Sequence, residues 1–343
     1  MRLKILFFII PVFLPLLSYS QESTSCAEKL KSAQSLFDKG QVEQVPSMLG
    51  ECMKSGFTRE ESLSAYKLLI QSFLFEEKIE KADSAMLAFL KKNPEYEISA
   101  TDHSSFVTLF NSFNVKPVVK LAFHIGSNMP FVSFVRFKTT SGEKGKNSYS
   151  TKPLNIYISG EAKFELSKKL DLNIEAGYSQ IAFTNTENYM GIEMINYTES
   201  QKRIELPVSV TYNFKSFGKL TPYGRFGAGP ALTLGSLVKA SIDALDVNGT
   251  NHPEQELDRK DARPAMDIFM QLGGGVKLKT RGGFITAEIR SNTGLLNQSK
   301  VGGTNDWELR SNYKFVDDDF HLNAVNFSFG YTQIFYNPTK RTE

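Results

Sequence analysis

The sequence predicts an α+β chain: a small helical N-terminal domain followed by an eight-stranded antiparallel up-and-down transmembrane β-barrel. Three observations lead there. Apolar residues recur at spacings of three and four from Cys26 to Pro94, then at a spacing of two after Pro117. Short and long connections between the alternating stretches follow one another in strict turn. One face of the alternating stretches carries almost no charge, while the other carries both signs.

Residues 1–20 read as a secretory signal peptide: a basic "MRLK", the apolar run "ILFFIIPVFLPLL", and the small-residue site "SYS" before Gln21. The run is too short, and too broken by proline, to span a membrane. Cys26 lies well past it and "STSC" lacks an apolar residue three before the cysteine, which speaks against a lipoprotein signal. Loss of Arg2 and Lys4 takes the formal charge from +3 to about +1 (+3 − 2), a balance that asks for no nucleic acid. A 41% hydrophobic content with 27 Phe and 13 Tyr suits half-exposed strands better than a single buried core. No second apolar run is long enough for a membrane helix, so any crossing is by strands.

The first mature segment, 21–94, is helical. In "CAEKLKSAQSLFDKG", Leu30, Ala33, Leu36 and Phe37 share a face and Gly40 ends the helix. Pro46 fits the first turn of the next helix, which ends near Gly56. Thr58 is an N-cap with Glu61 as its capping-box partner, and "SAYKLLIQSFLF" with "ADSAMLAFLKKNPEY" forms a second pair. "LFDKGQVEQV" and "LFEEKIEKA" echo each other at a period of about 38 residues, which resembles tetratricopeptide (TPR) repeats. The TPR likeness implies a groove for a protein partner, with Tyr66, Phe73, Phe75 and Tyr96 as the candidate surface. A compact four-helix spacer is the other reading. Cys26 and Cys52 either pair in an oxidising compartment or are two unrelated buried thiols. Residues 95–116 form a linker with a short amphipathic helix carrying Phe106, Leu109, Phe110 and Phe113.

Residues 117–336 supply eight alternating stretches, among them "VVKLAFHIG", "NIYISGEAKFEL", "DLNIEAGYS" and "RIELPVSVTYNF", and 337–343 are a tail. Three connections are a few residues long, around Lys168, "KSFGK" and "TRGG"; the other four run to roughly twenty to thirty residues and are expected as external loops. One face carries Lys120, Lys163, Arg203, Arg225, Lys277 and Arg290 against Glu161, Glu165, Asp171, Glu175, Glu205, Asp267 and Glu288. Near-neutral balance predicts a lumen filled by paired charges, because eight strands enclose only enough room for side chains. "LTPYGRFGAGPALTLG" could suggest a phosphate loop, but its glycine order is not the dinucleotide one and no helix follows. Its lumen-facing glycines instead leave room for long charged neighbours.

"RIELPVSVTYNF…LTPYGRFGAGPAL" and the terminal "NFSFGYTQIFY" resemble the PorT-like porin-family barrels common in Bacteroidetes, over Val118 to Tyr336. The terminal Phe327, Phe329, Tyr331 and Phe335 are similar to a barrel-assembly signal, although "NPTKRTE" follows the last aromatic. The resemblance implies an outer-membrane location with the helical domain in the periplasm. The family's namesake assists type IX secretion, and most members have no assigned activity.

Chemistry is sparse. No G-x-S-x-G, H-E-x-x-H or paired CxxC is present. His124 is a lumen filler, His103 lies in the linker, His252 in an external loop, and "DDDFH" (317–321) is either a rim acid/base or cation site or a solvated acidic loop. The expectation is a non-enzymatic barrel, without cofactor or metal, whose partners are outer-membrane lipid and a periplasmic or envelope protein. The alternative is a small transporter or receptor acting through external loops, and behind it a rim-site enzyme.

Overall fold

A computed structural model describes residues 20–136, 138, 147–152, 155–300 and 306–341. Residues 1–19 of the expected signal peptide lie outside the described residues. Two units are distinguished: residues 1–116 with 336–343, and residues 117–335.

In the first unit α1 (Ser20–Asp38), α2 (Val45–Leu49), α3 (Arg59–Phe75), α4 (Ile79–Lys92) and α5 (Ser104–Asn111) pack around two clusters. Gly40 takes φ 77° after α1, the left-handed conformation that glycine adopts without cost. Thr58 accepts from the Glu61 amide while Glu61 accepts from the Thr58 amide, closing the capping box. Pro46 occupies the first turn of α2, but that helix stops at Leu49 rather than near Gly56. Ala33, Val45, Leu49, Ala65 and Leu68 form one core; Ile70, Met86, Phe89, Phe106 and Phe113 belong to the other. Residues 95–116 are therefore not a free linker, since Phe106 is fully buried in the helical core. The tail is also occupied: β1 (Phe113–Asn114) pairs with β13 (Thr339–Lys340), and the Lys340 ammonium meets Asp83 at 2.5 Å. Cys26 and Cys52 are disulfide-bonded.

The second unit is one antiparallel sheet closed on itself. Its circuit runs β2 (Pro117–Arg136), β4 (Asn155–Ser167), β5 (Leu170–Tyr189), β6 (Glu193–Glu205) continued by β7 (Val208–Asn213), β8 (Leu220–Ala244), β10 (Met266–Thr280), β11 (Gly283–Gly294) and β12 (Asp319–Tyr336), which pairs with β2. β3 (Asn147–Thr151) and β9 (His252–Asp258) add to β5 and β8, and α6 spans Asp306–Tyr313. Period-two side chains fall as the pattern requires: Leu121, Phe123 and Ile125 are exposed, whereas Ala122 and His124 are buried. Among the described residues no helix is long and apolar enough to cross a membrane.

One expectation is corrected. The third and fourth strands are not joined by a long loop; β5 and β6 continue pairing from Gly177↔Glu205 out to Tyr189↔Glu193. The hairpin closes through Met190 and Gly191, both at positive φ (54° and 75°), a backbone whose twist suits a tight hairpin. The fifth-to-sixth connection is likewise partly strand, because β9 folds back on β8. The alternation continues past the membrane-facing part, and so does the ladder that it supports.

Candidate functional site: a filled lumen

Arg225 on β8 is the centre of the lumen. Its guanidinium, with none of the side chain exposed, meets Glu161 of β4 at 2.8 Å, Glu175 of β5 at 3.2 Å and Glu288 of β11 at 2.9 Å. Each carboxylate has a second donor. Glu161 takes Lys163 and His124, both at 3.0 Å; Glu175 takes Arg290 at 2.8 Å; Glu288 accepts from Tyr223 at 2.9 Å. Charges buried this deeply are tolerable only when paired and hydrogen-bonded. Glycine makes the space. A Cβ on Gly273 would lie 2.8 Å from Arg290 Cγ, and one on Gly275 would lie 2.8 Å from the Tyr223 hydroxyl.

Layers lie on either side of this cluster. Toward the short turns, Asp171 holds Lys120 at 2.8 Å and Lys277 at 3.3 Å, and Lys120 also reaches the half-exposed Glu165 at 3.0 Å. Toward the long connections, Arg203 pairs with Asp267 at 3.5 Å, and Glu205 accepts from Asn292 at 3.4 Å. Every charge that the alternation assigned to the lumen thus faces inward, and all but Lys120 and Glu165 are buried.

A further layer is not visible in the alternation. Arg263 grips Asp317 through two nitrogens, each at 3.0 Å, and donates from Nε to Glu199 at 2.7 Å. Arg259 also pairs with Asp317. Glu199 merely continues the inward series Arg203, Gln201, Glu199 on β6, the one signal that could have been followed. Glu199 is held by Arg263, and Arg259, Arg263 and Asp317, which complete the layer, come from stretches that the sequence presents as loop.

Above this layer the interior changes character. Ile181 and Phe183 of β5, Ile195 and Tyr197 of β6, and Val238 and Ile242 of β8 point inward and enclose Leu309, Tyr313 and Phe315 from α6 and the segment after it. Tyr197 stacks on Phe315 with ring centroids 4.0 Å apart. The lumen is therefore polar where the outer face is apolar, and apolar beyond.

The acidic rim is neutralised rather than poised. Asp317 belongs to the arginines, Asp318 accepts from the Lys138 amide and the Tyr149 hydroxyl, and Asp319 lies 2.6 Å from the Lys138 ammonium. The Lys138 hydrogen bond holds the Asp319 carboxyl below the usual aspartate range. No group of His, Cys, Asp and Glu able to hold a metal occurs among the described residues.

In the helical unit the four candidate aromatics divide. Tyr66 is corrected from surface to core: it is buried against Phe89, with centroids 6.2 Å apart. Phe73 and Tyr96 are partly buried in the same cluster, and Phe75 is 59% exposed. Tyr96 is drawn in by a polar anchor, donating to Asp102 at 2.5 Å while Lys67 reaches the same carboxylate at 2.6 Å.

Solved structures similar to this chain come from several bacteria. Neisserial surface protein A shares 14% identity, with 65% of this chain and 99% of that one covered, at a TM-score of 0.32. The outer membrane protease OmpT of Escherichia coli shares 7% identity over 65% and 98%, at 0.36. A major outer membrane protein of Thermus thermophilus shares 11% over 64% and 100%, at 0.33. No curated protein matches. The outer membrane protein beta-barrel domain matches residues 112–299, more than half of the chain. With closed antiparallel strands, an apolar outer face and a charged interior, this chain belongs to that outer-membrane barrel family.

Proposed function

We propose that the protein is a non-conducting, non-enzymatic barrel of eight crossings, β6 and β7 counting as one. It anchors the TPR-like helical unit in the periplasm as a protein-interaction domain. In the PorT-like group this corresponds to an envelope or type IX secretion accessory. The observation that carries the reading is the filling of the lumen from the Arg225 cluster through the Arg263 layer to the α6 apolar cluster, which closes it above its turn-side end and favours anchoring as the use of the barrel. Two experiments test it. The purified protein in planar bilayers gives no steady current; large stable currents would overturn the reading. A photo-crosslinker at the exposed Phe75 captures an envelope protein in the native membrane, whereas one at buried Tyr66 does not.

A receptor acting at the external end is the second reading, favoured by exposed apolar residues at Met190 (54%), Val247 (95%) and Trp307 (81%). Crosslinks from those positions, with none from Phe75, would favour it.

A further inference from the structure

The turn-side end of the lumen holds a cavity of about 380 Å³, within the size range of small-molecule sites. Its lining is unusual for a filled barrel, because five lysines converge on it: Lys120, Lys163, Lys168, Lys169 and Lys277. Among the described residues Asp171 is the one carboxylate in that lining, and it already serves both Lys120 and Lys277. Glu165, outside the lining, also reaches Lys120 at 3.0 Å, which still leaves fewer carboxylates than lysines. Lys163 is held by Glu161, which is itself shared with Arg225. Lys168 and Lys169, on the exposed turn between β4 and β5, form no ion pair among the described residues. The cavity is thus a concentration of positive charge that the protein's own carboxylates do not balance.

A second observation points the same way. Thr332 of β12 lines the cavity and is only 2% exposed, yet its hydroxyl has no hydrogen-bond partner among the described residues. A buried hydroxyl without a partner carries a desolvation cost that a ligand oxygen would relieve. Asn213 and Ser216 add polar groups, and Phe214 and Phe284 add an apolar wall.

We propose that this turn-side cavity binds a phosphate ester or oligophosphate. The lysines act as mobile point charges on the oxyanion, Thr332 donates to it, and the two phenylalanines contact the organic part. A monatomic anion would leave most of the volume unfilled. The site is independent of the anchoring reading, because all its lining residues belong to the barrel unit.

The test uses the full chain in a phosphate-free detergent, titrated with inorganic pyrophosphate by calorimetry at constant ionic strength. Saturable binding is expected. Lys168→Gln with Lys169→Gln should weaken it about tenfold or more, on the scale of charged hydrogen bonds, without altering folded mobility on gels. Thr332→Val, which removes only the unpartnered hydroxyl, should weaken it severalfold. Competition then identifies the source: displacement by phosphatidylglycerol vesicles but not by soluble sugar phosphates assigns a lipid headgroup, and the converse a soluble ester. Absence of saturable pyrophosphate binding, or affinity unchanged in both variants, would overturn the proposal.

Discussion

Arg225→Met is the sharpest probe of the filled lumen. The substitution keeps an unbranched, flexible apolar stem and removes the guanidinium that meets Glu161, Glu175 and Glu288. Before it, three cations (Arg225, Lys163, Arg290) stand against those three carboxylates; after it, two remain. Glu288 is worst placed, keeping the Tyr223 hydroxyl and an Arg290 contact at 3.7 Å. Breaking a buried pair by removing one partner costs about 3–5 kcal/mol. The folded-to-unfolded ratio should therefore fall by roughly a hundred- to several-thousand-fold. Urea titration in detergent, read by heat-modifiable gel mobility, measures this; the single tryptophan, Trp307, is 81% exposed and reports poorly on the lumen. Adding Glu288→Gln restores the balance to two against two and should recover part of the loss. A cost for Arg225→Met within about 0.5 kcal/mol, typical of an unconstrained surface site, would refute the reasoning. So would a Glu288→Gln effect that adds to the damage.

Three further outcomes are expected. Replacing Cys26 and Cys52 together by alanine frees a loop of sequence separation 26, costing the helical unit about 3.5 kcal/mol on the chain-entropy relation, seen as a lower urea midpoint of the far-UV signal. Gly227→Ala should cost about 1–3 kcal/mol, because its Cβ would lie 2.5 Å from Ser209 Cβ and 2.6 Å from the Val208 carbonyl, whereas Gly160→Ala, with nothing within 4 Å, should be nearly neutral in the same gel assay. Burial raises the Asp102 carboxyl, but hydrogen bonds from Lys67 and Tyr96 outweigh it and hold the group below its ordinary value. Its contribution is present above the unfolded value of about 3.9 and disappears as pH falls through the lower folded one; circular dichroism at 222 nm should show that loss in the wild type and not in Asp102→Asn.

What could be read from the sequence was whatever is set by neighbours along the chain. The Thr58–Glu61 box spans one helical turn. Alternation fixes which residues share a face, so Lys120, Glu161 and Arg225 could be grouped before any contact was known. Pairing could not be read, because Arg225 meets Glu175 across a separation of 50 residues and Arg290 meets the same carboxylate across 115. Only closure of the sheet brings those strands together. Nor could the sequence separate linker and tail from domain: Phe113 pairs with Lys340 only once the intervening strands have returned the chain. The external end shows the limit most clearly. Ile181, Phe183, Ile195 and Val238 alternate as the membrane strands do, yet their apolar side is the interior. A period of two defines two faces without saying which meets lipid. That is decided by what lies against them: charged side chains inside the membrane part, and α6 with Phe315 beyond it.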